Sequence, residues 1–222
     1  MAMTGSQERH RSQHPGSRGP IVFYFDFISP FAYVGSVAIE RLGARLGRAV
    51  EWRPVLIGVT VLKIMGMRPL REIPLKGPYL ARDLERLAQW FEVAVRPHGL
   101  GTVNPVMASR AYLWLVDNAP DRAKPFAQEV FARLWTRGID IGGIEAVVDC
   151  ARQVGADGAA VRAHLDDDGA REGLRRSVEQ AVSLGVFGVP SFIADGELFW
   201  GNDHLWMLEH WLRTGSFAPG SG

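Results

Sequence analysis

The chain has 222 residues, 47% hydrophobic and 22% charged, the balance of a soluble globular protein with apolar material for one sizeable core or two small ones. Lysines and arginines number 25 against 24 acids, so a formal net charge of +1 supplies no field that would draw the chain to nucleic acid or a membrane surface, and a small molecule is the expected partner. The single cysteine, Cys150, excludes an intrachain disulfide, a Cys-x-x-Cys redox pair and a cysteine-rich zinc site, and it suits a reducing cytoplasm.

Residues 1–19 carry arginine, serine, glutamine, histidine and glycine without an apolar run, so they read as a flexible tail rather than a secretory signal. No window reaches the roughly 18 consecutive apolar residues that a membrane-spanning helix needs. The run PIVFYFDF at 20–27 is too short for a helix and rich in strand formers, and it ends at Ser29-Pro30, so it predicts a buried strand. From Phe31 the apolar positions Val34, Val37, Ala38, Ile39, Leu42 and Leu46 recur at helical spacing as far as Gly47, and AVEWRPV at 49–55 reads as a second strand. The opening is β-α-β, with a right-handed crossover and parallel strands expected.

Helical patterns then dominate: 79–95, 105–119, 126–138, 144–155, and a longer helix from about Asp168 to Leu184. Most of the seven tryptophans fall on helical apolar faces and are expected in the core. After GVFGVP at 185–190, the segments SFIA and ELFW flank Asp195-Gly196, a strong signal for a hairpin with a type I′ turn. A last amphipathic helix is expected from Asp203 to about Arg213. This order is a thioredoxin-like α/β fold split by a helical insertion. Its thioredoxin-like part comprises 20–56 and 168–214, the insertion 57–167, and a flexible tail 215–222. The insertion, roughly 110 residues, has the length of a domain in its own right. A doubly wound parallel sheet would need strands where helices are predicted, and a Gly-rich phosphate loop.

Ser29-Pro30 is what any helix start prefers, serine capping and proline opening the first turn. The same hydroxyl, with the free N–H groups of that turn and the positive end of the helix dipole, also makes a site for an anion such as a thiolate. Val189-Pro190 is either a loop-ending proline or a cis bond that leaves the Val189 backbone free to pair with an extended peptide. Asn202 and Asp203 either cap the final helix or meet the charged ends of a ligand. The six histidines lack metal spacing, Asp166 to Asp168 read as caps, and Ser29 lacks the G-x-S-x-G elbow of a serine hydrolase.

Three stretches, FYFDFISPFAY at 23–33, WRPVLIGVTVLKIMG with LKGPYLARDLERLAQ between 52 and 89, and GVFGVPSFIADGELFWGNDHLWMLE at 185–209, together resemble the 2-hydroxychromene-2-carboxylate isomerases. These are relatives of the kappa-class glutathione transferases within the DsbA-type thioredoxin superfamily. The resemblance implies a dimer that uses glutathione as cofactor and takes an aromatic keto-acid. It makes Ser29 the hydrogen-bond donor to the glutathione sulfur and Val189 the backbone partner of its cysteinyl unit, with Pro190 cis. Trp200, Gly201, Asn202 and Asp203 become the γ-glutamyl site. Lys63 matches a family lysine near the substrate, and Arg71 and Asn104 fall in segments that approach the same cleft. Many family members carry asparagine where this chain has Met67, which implies a more apolar acid pocket. The implied chemistry is thiolate addition to an enone, bond rotation and elimination. A transferase that conjugates small electrophiles, or a glutathione-binding module without catalysis, are the alternatives.

Overall fold

A computed structural model describes residues 19–96 and 103–218; the tail predictions for 1–18 and 219–222 lie outside the described residues. The order is β1 (Ile21–Phe25), α1 (Pro30–Leu46), β2 (Val50–Pro54), a π-helical turn (Gly58–Ile64), a 3-10 turn (Leu70–Glu72), α2 (Lys76–Trp90), α3 (Val106–Asn118), α4 (Pro120–Trp135), α5 (Ile144–Gln153), α6 (Gly158–Leu165) and α7 (Asp168–Ser183). The chain then closes with β3 (Ser191–Ala194), β4 (Glu197–Trp200), a 3-10 turn (Asn202–His204) and α8 (Leu205–Thr214).

The strands form one mixed sheet in the order β2-β1-β3-β4, with β1 parallel to β2 and antiparallel to β3. Parallel pairing needs the long α1 crossover, whereas β3 and β4 need only two residues between them. Those residues are Asp195 and Gly196, at φ 50° and 86°, the positive values a type I′ turn demands. Arg48, almost wholly buried, donates to both carboxylate oxygens of Asp195 (2.7 and 3.1 Å) and to the carbonyl of Gly19 (2.7 Å), so the hairpin tip, the α1–β2 loop and the start of the sheet are clamped together.

The core is aromatic. Phe23 meets Trp52 edge-on (5.2 Å between centroids) and stacks on Phe192 (5.5 Å), while Phe25 meets Tyr112 of α3 (5.4 Å) and Phe27 meets Phe131 of α4 (5.1 Å). Tyr112 also donates its hydroxyl proton to the Trp52 carbonyl, and the Trp135 indole donates to the Phe27 carbonyl. A single apolar cluster therefore runs from β1 and β3 through α1 into α3, α4, α5 and α6. Its consequence for function is that the loop from Asp26 to Ser29 is held on a rigid base.

The structure corrects several sequence expectations. α6 was not expected, and α4 begins at Pro120 instead of 126, because a proline in the first turn loses no helical bond. α2 runs from Lys76 and stops at Trp90, where the chain turns through Glu92 at φ 54°. The final helix begins as a 3-10 turn. Trp90 and Trp206 are not core residues: they stand 80% and 67% exposed, and Trp200, on a strand, is 43% exposed. Asp167 does cap α7, its carboxylate accepting from the Gly169 N–H.

Candidate functional site

Ser29 is the N-cap of α1, in extended conformation, with Pro30 following. Its hydroxyl oxygen accepts from the Ala32 N–H at 3.1 Å, and its own N–H donates to the Asp26 carbonyl at 3.0 Å. The residue is buried, yet among the described residues its O–H proton is donated to nothing, and neither is the N–H of Phe31. Two unspent donors thus sit in the first turn of a 17-residue helix, where the dipole favours negative charge.

The Val189-Pro190 bond is cis, as the resemblance implied, and Pro190 lies against α1 at Gly35. Among the described residues the N–H and C=O of Val189 have no hydrogen-bond partner, whereas the Pro190 carbonyl accepts from the Gly201 N–H at 2.9 Å. Gly35 lets these parts close on α1: a methyl group there would lie 2.6 Å from Asn202 Oδ1 and 3.1 Å from Pro190 Cβ. Gly35→Ala is accordingly expected to lower stability despite alanine's higher helix propensity, because overpacking at a closed contact costs about 1–3 kcal/mol. Thermal unfolding checks this, and an unchanged midpoint would show that the contact yields.

Asn202 is buried, donates its carboxamide N–H to the Phe31 carbonyl at 2.9 Å, and leaves Oδ1 buried and, among the described residues, without a partner. It thereby locks the 3-10 turn onto the first turn of α1. Gly201 precedes it at φ 95°, where a side chain would be strained and its Cβ would fall 2.2 Å from Asp203 Oδ1. Asp203 is mostly exposed and makes no capping hydrogen bond, and its Oδ1 stands 3.6 Å from His204 Nδ1. Of the two readings of Asp203, the cap is not made. Trp200 packs its ring against Phe187 (5.1 Å) and over Gly188. Beyond Asp203 a groove of about 670 Å3 opens between α1, α2 and α8, lined by Arg41, Arg45, Leu87, Trp90 and Trp206.

The structure thus brings Ser29, Val189, Pro190, Gly201 and Asn202 together, with Trp200 and Asp203 at the margin. Lys63 and Met67 lie exposed on the π-helical turn and just after it, and Lys63 has no hydrogen-bond or ionic partner among the described residues. Arg71 is exposed and pairs with Glu72 at 3.7 Å. Asn104 turns its carboxamide to its own helix, accepting from the Val106 N–H at 3.1 Å, and no hydrogen bond joins it to the Ser29 cluster.

One residue escaped the sequence reading. Asp26 is 1% exposed, and its carboxylate accepts from the N–H of Ile28 (3.2 Å) and of Ile57 (2.9 Å). Burial pushes its pKa up to about 7 although those two donors pull the other way. Its one visible signal is a lone acid in the apolar run 20–27.

This fold and this cluster define a DSBA-like thioredoxin domain, and the family model of that description matches residues 20–213. Within that class the chain belongs to the 2-hydroxychromene-2-carboxylate isomerase family, a family of isomerases. It is 33% identical to the 2-hydroxychromene-2-carboxylate isomerase of Sphingobium xenophagum over 86% of this chain and 97% of that one. A solved structure of a 2-hydroxychromene-2-carboxylate isomerase superposes with a TM-score of 0.76 at 26% identity, covering 86% of this chain and 92% of that one. The rat kappa 1 glutathione S-transferase is 25% identical over 88% of this chain and 92% of its own. No described helix is long and apolar enough to cross a membrane.

Proposed function

We propose that this protein is a glutathione-dependent isomerase acting on 2-hydroxychromene-2-carboxylate or a related aromatic acid. The observation that carries the reading is the unspent Ser29 O–H at the positive end of α1, the helix against whose first turns the cis Pro190 and Asn202 are packed. The residues fit a γ-glutamyl tripeptide: Val189 would pair with its cysteinyl backbone, and the exposed Asp203 carboxylate would accept from its ammonium, with the buried Asn202 fixing the turn that presents it. Trp200 and Gly201 would wall the same end. When bound, glutathione supplies a sulfur nucleophile able to add reversibly to a conjugated enone, which frees the former double bond to rotate.

Ser29 and the Phe31 N–H hold negative charge at the sulfur position. A free thiol with a pKa of about 8.5 is only a few per cent ionised at neutral pH, and donors of this kind shift it downward. Lys63 and Arg71 are the cations we assign to the substrate carboxylate, with Asn104 and Met67 toward the same acid, Met67 presenting an apolar wall in place of an amide. We infer a cytoplasmic enzyme from its cysteine usage and a homodimer to which the exposed Trp90 offers apolar surface.

Asp203→Asn is expected to weaken glutathione binding by about 1.5 to 3 kcal/mol, the scale of a hydrogen bond to a charged group, with little change in rate at saturating glutathione. Titration calorimetry checks it; unchanged affinity removes Asp203 from the γ-glutamyl site. The kinship to kappa transferases favours one second reading, conjugation of an electrophile. Counting glutathione before and after many turnovers separates the two: the isomerase returns all of it, and a transferase consumes one per product.

A further inference from the structure

We propose that Asp26 is a positioning residue that holds the Ser29 loop and the Lys63 turn in fixed relation, so that the sulfur site and the acid site face one substrate. This rests on the functional reading above and adds a residue to it. The carboxylate spans two segments that are remote in sequence: Oδ1 accepts from Ile28, one residue before Ser29, and Oδ2 accepts from Ile57, which opens the π-helical turn bearing Lys63. The Asp26 carbonyl also accepts from the Ser29 N–H, so both the side chain and the main chain of one residue set the cap.

The chemistry of the group supports a role beyond packing. A carboxylate buried without a cation is costly, and an ordinary loop tie needs only one neutral acceptor. Here the two N–H donors meet different oxygens of one short side chain, and among the common side chains of this length only aspartate carries two acceptor oxygens. Asparagine keeps one acceptor and turns an NH2 group toward the other donor. The tie lies at the end of β1, between Phe25 and Phe27, whose rings pack together in the core and anchor the Asp26 end of the tie.

The test uses the full chain carrying Asp26→Asn and, separately, Ile57→Pro. The proline deletes the far donor at a residue whose φ of −63° already suits proline. Amide hydrogen exchange in the ligand-free protein at pH 8, where the Asp26 carboxylate is ionised, reads the tie directly. In Asp26→Asn, exchange at Ile28 and Ile57 should quicken by tenfold or more while that at Phe23 stays as in the parent; in Ile57→Pro, the same should hold at Ile28. With glutathione and 2-hydroxychromene-2-carboxylate, kcat should fall by roughly 10- to 100-fold in both variants, as expected for a misplacement of reacting groups near 1 Å, with glutathione affinity within about twofold of the parent. Parental exchange and parental kcat in both variants overturn the proposal. A kcat loss matched by an equal loss of folded protein, with unchanged kcat per folded molecule, also overturns it and leaves Asp26 structural. A parent that never turns over the substrate overturns the functional reading instead, and the exchange rates still decide whether the tie exists.

Discussion

Ser29→Ala should lower isomerase activity by roughly 10²-fold or more, the cost of deleting one preorganised donor to a developing or resident anion. The substitution removes the O–H while leaving the α1 dipole, the Phe31 N–H and the cis Val189-Pro190 bond in place. It also removes the acceptor for the Ala32 N–H, so about 1 kcal/mol of stability should go with it. The two effects are separable. A hydroxyl that only caps predicts the stability loss with normal turnover per folded molecule, whereas a hydroxyl that serves the sulfur predicts a raised thiol pKa for bound glutathione, read from thiolate ultraviolet absorbance. Parental thiol pKa and parental rate in the alanine variant would make Ser29 structural.

A second large effect is expected in stability against pH. Asp26 has its pKa raised from the ordinary 3.8 to about 7 by burial, so the folded chain holds a proton that the unfolded chain has already released. The associated stability is fully present below about pH 4 and is lost as pH rises through 7. Three pKa units correspond to about 4 kcal/mol. Glu145, Glu172 and Glu209 run the other way, each held low by arginine; Glu145 and Glu172 are largely open to solvent and Glu209 is half-buried, and solvent screening keeps their contributions small. The difference between the parent and Asp26→Asn isolates the term: denaturant unfolding from pH 4 to 8 should show the parent losing stability and the variant holding level across that window. Parallel profiles would mean that Asp26 is ionised throughout.

The elements whose chemistry is local were legible in the sequence. Ser29-Pro30 announces a helix start, Asp195-Gly196 a hairpin tip, and Asp167 a cap, each because two or three adjacent residues determine the backbone. α6 was missed because GAAVRAHL is short and mostly small residues, with too little periodicity to register. Trp90 and Trp206 were misread for a different reason: helical spacing shows that residues share a face, and only the packing of other helices decides whether that face is covered. Asp26 was invisible as a tie because its second partner, Ile57, lies 31 residues away and donates through its backbone, which carries no side-chain signature. The cis bond and the γ-glutamyl assignments came from family resemblance, since Val189-Pro190 and Gly201-Asn202 are ordinary dipeptides until the fold sets them beside Gly35.

The most direct measurement is spectrophotometric turnover of 2-hydroxychromene-2-carboxylate by the purified chain with and without glutathione. Relaxation to the equilibrium mixture should saturate with glutathione, return it unconsumed, and fall to background without it. Turnover at the same rate in the absence of glutathione, or none in its presence, would contradict a glutathione-dependent isomerase.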